Sequence, residues 1–277
     1  MTAHYATANR LDELQAQLSG RDFAILTTLR DYRLAAGGQL RRLFFANHSS
    51  AEAAARAARH SLRRLANLGL TDALQRRIGG IRAGSTGLVW HLSRTGIRLL
   101  IHTNEISRTN QNSRNALTLT EPSLRTLDHT LAITETMVRL RETARDNLSE
   151  LIQLQPEPGC WRQYTNPFGG LMTLKPDMFA ITAASAEFES IWFLEIDRAT
   201  ESRATVSRKA EAYENYRRSG REQQIQGVFP RVAWLTPDSS RAEMIRETLA
   251  RNLKNDSRIH LALTLDEFIA KVCEPPP

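Results

Sequence analysis

Apolar positions recur with two different periods along this chain, and the period changes near its middle. In the first part they return every three or four residues, the spacing of a helix with one buried face. Phe23, Leu26 and Leu29 predict a helix over Asp22–Tyr32, with Ser19 and Asp22 as candidate caps. Gly37–Gly38 predict a break, and Leu40, Leu43 and Phe44 a short helix over Gln39–Asn47. The Ala-rich segment Ala51–Leu68 predicts the strongest helix. Leu62 and Leu65 anchor its apolar side, Ser49 or Ser50 supplies an N-cap, and Gly69 ends it at the C′ position. From Leu70 to Leu92 two extended runs flank Gly79–Gly80, which predicts a β-hairpin returning along Leu88–Leu92. A short helix follows from Ser93 to Leu100.

Beyond a polar stretch at Thr103–Thr118, Leu124–Leu148 reads as a long helix. Leu127, Leu131, Thr134, Val138 and Arg141 mark one of its faces, and His129 and Glu135 also lie on it. After Pro156 the pattern turns to strands. Trp161–Tyr164, Leu171–Thr182 and Ile191–Asp197 predict three; Arg203–Arg218, Val232–Leu235, Arg241–Asn252, Ile259–Leu263 and Leu265–Val272 then alternate helix and strand. "IWFLEID" is almost continuously apolar, which implies a strand covered on both faces. The order α-β-β-β-α-β-α-β-α predicts an α/β domain with a mixed sheet. The expected organisation is a first domain at 20–102, a linker at 103–121 and a second domain at 122–274.

Length and composition agree with two folded domains: 277 residues, 41% of them hydrophobic. There is no run of 18 uncharged apolar residues to span a membrane, and Met1–Arg10 lacks a secretory apolar region. The two cysteines, Cys160 and Cys273, are expected to be free thiols, and no Cys/His cluster has zinc spacing. A cytoplasmic protein without a membrane partner is the expectation.

Charge changes the picture more. The net +7 is unevenly spread: residues 1–110 hold 16 Lys+Arg against 7 Asp+Glu, net +9, and residues 111–277 hold 21 against 23, net −2. A basic first domain points to a polyanion, double-stranded DNA above all. Arg56, Arg59 and Arg63 fall at i, i+3 and i+7, which stacks three guanidinium groups on one helical face, with Arg64 beside them. Arg76, Arg77 and Arg82 surround the predicted hairpin turn. Three helices, an arginine-faced third helix and a basic-tipped hairpin, with "LRRLANLGL" followed by "LVWHLSRTG", resemble winged-helix regulators. In such folds the third helix enters the major groove and the wing touches the minor groove or phosphates. A three-helix domain using its basic face for protein contact is the competing reading.

In the second domain the chemistry-bearing residues are carboxylates. Glu195 and Asp197 are two apart and share one strand face, and Asp177 lies towards the middle of the preceding strand. Two like charges on one face repel unless a cation neutralises them. Three carboxylates at adjacent strand ends would bind Mg²⁺, which could activate water against a phosphodiester. Caps and salt bridges are the bland alternative. The layout resembles the PD-(D/E)xK nuclease superfamily: a leading helix with an acid, Glu135; "PD" at Pro176–Asp177; and "EID" at Glu195–Asp197. Asp197 stands where that superfamily has lysine. The resemblance therefore nominates Lys209 on the next helix as the lysine, and Tyr213 and Tyr216 share its face at i+4 and i+7. A surface lysine beside core tyrosines is the alternative.

Taken whole, the chain resembles the replication-relaxation proteins of bacterial plasmids and integrative elements. The matching stretches are "LRRLANLGL", "LDHTLAITE", "LKPDMFAI", "FLEIDRATES", "RKAEAYENY" and "VFPRVAWLTP", in order over about residues 20 to 250. The resemblance implies a role in replication, DNA relaxation or mobilisation, alongside other replication or mobilisation proteins. Two functions stay open. One is a Mg²⁺-dependent nicking or cleaving enzyme using Asp177, Glu195, Asp197, Lys209 and Glu135. The other is a non-catalytic initiator or transcription regulator whose second domain serves dimerisation or partner contacts. Winged helices often dimerise on inverted repeats, so a homodimer is the starting expectation.

Overall fold

The computed structural model describes residues 7–74, 88–103, 123–252 and 257–274. The fold is mixed α/β and divides into two compact units, Met1–Val138 and Arg139–Pro277. Among the described residues no helix is long and apolar enough to cross a membrane.

The first unit runs α1 (Ala8–Gln15), α2 (Gly20–Tyr32), β1 (Ala35–Ala36), α3 (Gly37–Phe44), α4 (Ala51–Asn67), β2 (Thr71–Ala73), β3 (Val89–Leu92) and α5 (Arg94–His102), followed by the start of α6 (Leu124–Arg145). β3 is central in its sheet and antiparallel to both β1 and β2. Local chemistry sets the helix ends. Ser19 and Asp22 form a reciprocal capping box on α2, and Ser50 caps α4 by accepting from the Ala53 amide. Gly69, at φ +72°, closes α4 in the left-handed conformation that glycine adopts without strain. Gly96 has a different reason to be glycine: a Cβ there would lie 2.2 Å from the Leu70 carbonyl oxygen, so α5 can pack on the segment between α4 and β2 only without one.

Three features differ from the sequence expectation. Gly37–Gly38 start α3 rather than break the chain, because the Gln39 side chain accepts from the Ala36 amide and the Gly37 amide donates to Leu88. α1 is an additional helix, without a readable period because only Leu11 and Leu14 bury across its eight residues. The third concerns the division of the chain, which falls inside α6 at Val138/Arg139 and not before it at 122. Leu127 of α6 is buried against Leu34, Leu74 and Val89, with Leu131 packed beside it, so the first half of the helix completes the first unit's core. Residues 75–87, with Arg76, Arg77, Arg82 and the predicted Gly79–Gly80 turn, lie outside the described residues, as does nearly all of the predicted linker.

The second unit holds β4 (Glu150–Pro156), β5 (Arg162–Thr165), β6 (Leu171–Leu174), β7 (Met178–Ser185), β8 (Phe188–Ile196), α7 (Arg203–Arg218), α8 (Arg221–Gln226), β9 (Arg231–Thr236), α9 (Ser239–Asn252), β10 (His260–Thr264) and α10 (Leu265–Cys273). Its main sheet has the order β10-β9-β8-β7-β4; β4, β7 and β8 meet antiparallel, β8, β9 and β10 parallel. β5 and β6 form a separate hairpin. Phe179, Ile181, Phe193, Val232 and Trp234 bury one sheet face with Val206, Ala210 and Tyr213 of α7 and Ile245 and Leu249 of α9. Trp192 of β8 meets Phe268 of α10 edge-on, 5.3 Å between centroids. β8 is therefore covered on both faces, as its apolar run predicts.

The predicted strand Leu171–Thr182 is two strands. Pro176 has no amide to donate, so the ladder breaks there; β6 pairs with β5 and β7 joins the main sheet. Asp177 consequently stands at the entrance to β7, not in mid-strand. β4 has no clear signal in the sequence because a register shift between Leu151 and Gln153 interrupts its alternation.

Candidate functional site

Asp177 and Glu195 are brought together by strand register. Met178 pairs with Leu194, so the residues flanking that pair, Asp177 and Glu195, lie at the same end of adjacent strands. The Asp177 amide donates to the Leu194 carbonyl (3.1 Å) and its carboxylate accepts from the Ile196 amide (2.7 Å). Both side chains are nearly closed to solvent, at 7% and 3% exposure.

α7 closes over this pair. Lys209 donates to Glu195 Oε2 at 2.8 Å and Tyr213, one turn on, donates to Oε1 at 2.6 Å. The i, i+4 spacing thus delivers an ammonium and a phenol to the two oxygens of one carboxylate. Lys209 also pairs with Glu201 at 2.8 Å. Glu201 is a site residue that sequence reasoning misses, because it lies beyond the helix N-cap, Ser202, where helical spacing no longer reports proximity.

The electrostatics follow from burial. Loss of water, reinforced by the Asp177 charge, raises the Glu195 pKa to about 7 against the pull of Lys209 and Tyr213. Burial alone would lower the Lys209 pKa, but Glu195 and Asp177 outweigh it and hold the ammonium charged. Burial and the Glu195 charge push the Tyr213 phenol well up, so it remains a donor. Near neutrality the cluster therefore contains a carboxyl poised between its two forms beside a fixed positive charge, a combination suited to general acid–base work and to holding an anionic oxygen.

Asp197 does not join them. β8 ends at Ile196, the chain turns, and the Asp197 carboxylate takes a bidentate pair from Arg241 of α9 (2.9 and 2.6 Å) and a hydrogen bond from the Ala199 amide. Arg241 also donates to the Glu201 carbonyl at 2.7 Å. Asp197 and Arg241 thus fix the turn that carries Glu201 and starts α7. Two residues apart predicts a common face only while the strand continues. Among the described residues no three His, Cys, Asp or Glu side chains form a group that could hold a metal ion. The expected trio Asp177–Glu195–Asp197 does not assemble, because Arg241 claims its third member and Lys209 occupies the second.

Glu135 is engaged within the first unit. It pairs with Arg42 at 2.5 Å and accepts from Gln39 at 3.0 Å, both on α3. Beside it on α6, Thr134 donates to the Leu34 carbonyl at 2.7 Å. Those contacts account for Glu135 as a tie between helices.

On α4, Ala54, Ala58, Leu62 and Leu65 face the core, while Arg56, Arg59 and Arg63 are exposed on the other side. Arg64 differs from these three. It pairs with the buried Asp22 at 2.5 Å and donates to the Gln17 carbonyl, so it belongs to the α2–α4 packing.

A family model described as replication-relaxation matches residues 26–232. No curated protein matches the chain.

Proposed function

Because the chain belongs to the replication-relaxation family, we propose that it is a DNA-binding protein of plasmid or mobile-element replication, relaxation or mobilisation. Its first unit is read as a winged helix that holds double-stranded DNA. The observation that carries this is the stripe of Arg56, Arg59 and Arg63, exposed along the middle of α4 while the opposite face is core. A small sheet in which β2 and β3, following α4 in the chain, are joined by β1 from before α3, with β3 in the middle, supports the same reading. Guanidinium groups so arranged match phosphates and base edges of a major groove. A homodimer on an inverted repeat, and contacts with replication or mobilisation proteins, belong to the same proposal.

A second reading, phosphodiester nicking, is favoured by one specific observation. Asp177 and Glu195, both buried, and the half-buried Lys209 come from three different parts of the fold to one cluster. This is the acid, acid and lysine set that the nuclease resemblance requires, with the lysine supplied by a helix. Lys209 would hold a non-bridging phosphate oxygen, and Glu195 would take or give a proton. A divalent cation would have to compete with the Lys209 ammonium for Glu195, so no step is drawn through Mg²⁺.

The test is incubation with supercoiled plasmid carrying the element's origin, in Mg²⁺, in Mn²⁺ and in chelator, comparing wild type with Asp177→Asn and Lys209→Gln. Nicked product from wild type alone supports the catalytic reading, and the chelator arm decides the metal. Binding by gel shift without nicking under any condition leaves the initiator or regulator. No binding at all removes both.

A further inference from the structure

Of the ten exposed large apolar side chains among the described residues, four lie on one twelve-residue segment: Trp161, Phe168, Leu171 and Met172. Phe168 is 96% exposed and Leu171 70%. Ordinary surface leucines need no explanation, but this concentration of exposed apolar side chains on one short hairpin, on both of its faces since Leu171 and Met172 are successive strand residues, marks a contact. The segment is the β5–β6 hairpin, and Phe168 is at its tip.

The tip is held firmly. The Asn166 side chain accepts from the Phe168 and Gly170 amides at 3.0 and 2.8 Å, and the Asn166 backbone bonds to Gly169 and Gly170. Gly169 sits at φ +81°, which glycine permits. The base is held as well. Tyr164 packs against Tyr216 with the rings tilted and their centroids 5.2 Å apart, and Arg162 pairs with the fully buried Glu222 at 3.1 Å while lying over the Phe179 ring. A hairpin fixed at both ends presents its phenyl ring with little backbone ordering cost on contact.

One neighbouring cation and the continuity of the chain indicate the occupant. β6 runs through Lys175 and Pro176 into Asp177, so the hairpin is the direct extension of the strand that enters the carboxylate cluster. The Lys175 ammonium, itself on an exposed residue, lies 4.7 Å from the Trp161 ring. A cation beside exposed aromatic and aliphatic side chains matches a phosphate beside a base. Pro167, Phe168, Leu171 and Met172 are residue types that wedge between base steps.

We propose that the β5–β6 hairpin is a DNA wedge whose Phe168 ring inserts between stacked base pairs of duplex DNA bound at the second unit and partly unwinds it. The proposal rests on the reading of the chain as a DNA-binding protein. Its test separates the two. Closed circular plasmid is relaxed by a magnesium-independent topoisomerase in chelator, with wild type, Phe168→Ala or Phe168→Trp bound; occupancy is measured in parallel by fluorescence anisotropy. Wild type should leave plasmid shifted by several topoisomers toward lower linking number after deproteinisation. Phe168→Ala at equal occupancy should leave the protein-free distribution, and Phe168→Trp should restore the shift. Binding by wild type without a shift, or a shift that Phe168→Ala retains, overturns the wedge while leaving DNA binding intact. Absence of DNA binding by wild type ends both readings.

Discussion

The arginine stripe of α4 and the carboxylate cluster under α7 are the two charged regions that matter most, and they are built in opposite ways. Arg56, Arg59 and Arg63 stand in solvent, where long-range attraction for a polyanion acts and each side chain adds little to folding. Asp177 and Glu195 of that cluster, and Asp197 at the turn beside it, are each less than a tenth exposed, and their charges are matched by Lys209 and Arg241 or by backbone amides. A charge placed for a partner can be removed at small cost to the fold. A charge placed inside must be removed together with its counter-charge.

The largest effect is therefore expected at the inner pair that holds the turn. Arg241→Ala leaves the Asp197 carboxylate, 1% exposed at its side chain, without its bidentate partner. The expected loss is about 3–5 kcal/mol in urea unfolding, because a buried charge is left uncompensated. Asp197→Ala combined with Arg241→Ala should cost clearly less than the two single changes added together. A loss under about 1 kcal/mol for Arg241→Ala would break the comparison.

Glu195 sharpens it through pH. Its folded pKa of about 7 lies above the ordinary 4.5, so between those values the folded protein binds the proton more readily than the unfolded chain. The resulting stability is complete below about pH 4.5 and is lost as pH rises through about 7, by up to about 3 kcal/mol. Glu195→Gln cannot ionise. The difference in unfolding free energy between wild type and this variant should therefore slope across about pH 4.5–7 and level off on either side. A flat difference would mean that the Glu195 pKa is the same in the folded protein as in the unfolded chain.

What a sequence can reveal of this molecule also follows the division between outer and inner charge. The arginine stripe, the Ser19 and Ser50 caps and the Gly69 stop are local: helical period and capping chemistry place them within a few residues of one another. Lys209 and Tyr213 are readable as a shared helical face, and that face meets Glu195. What is not readable depends on where elements end. Asp197 obeys the strand period on paper, but β8 stops one residue earlier. Pro176 moves Asp177 from mid-strand to strand entrance. Arg241, 44 positions beyond Asp197, and Glu201, across a helix cap, carry no sequence signal of the groups they meet. Glu135 sits on the right helix but turns to Arg42 and Gln39, because the first half of α6 packs on the first unit's core.

The smallest effect on stability is expected on the outer stripe, and there it should coincide with a large effect on binding. Arg56→Ala with Arg59→Ala should change the unfolding free energy by no more than about 0.5 kcal/mol, since both side chains are exposed and outside any cap or core. The same double variant should weaken duplex binding and reduce the slope of log K against log salt by about 2, one counterion for each phosphate that the protein no longer neutralises. Arg64→Ala, on the same helix, is the matched control. It removes the partner of buried Asp22, so it should lower stability by about 1–3 kcal/mol while leaving the salt slope near that of wild type. If instead Arg64→Ala moves the slope and the Arg56/Arg59 pair does not, the DNA-facing side of α4 is the side that now reads as packing.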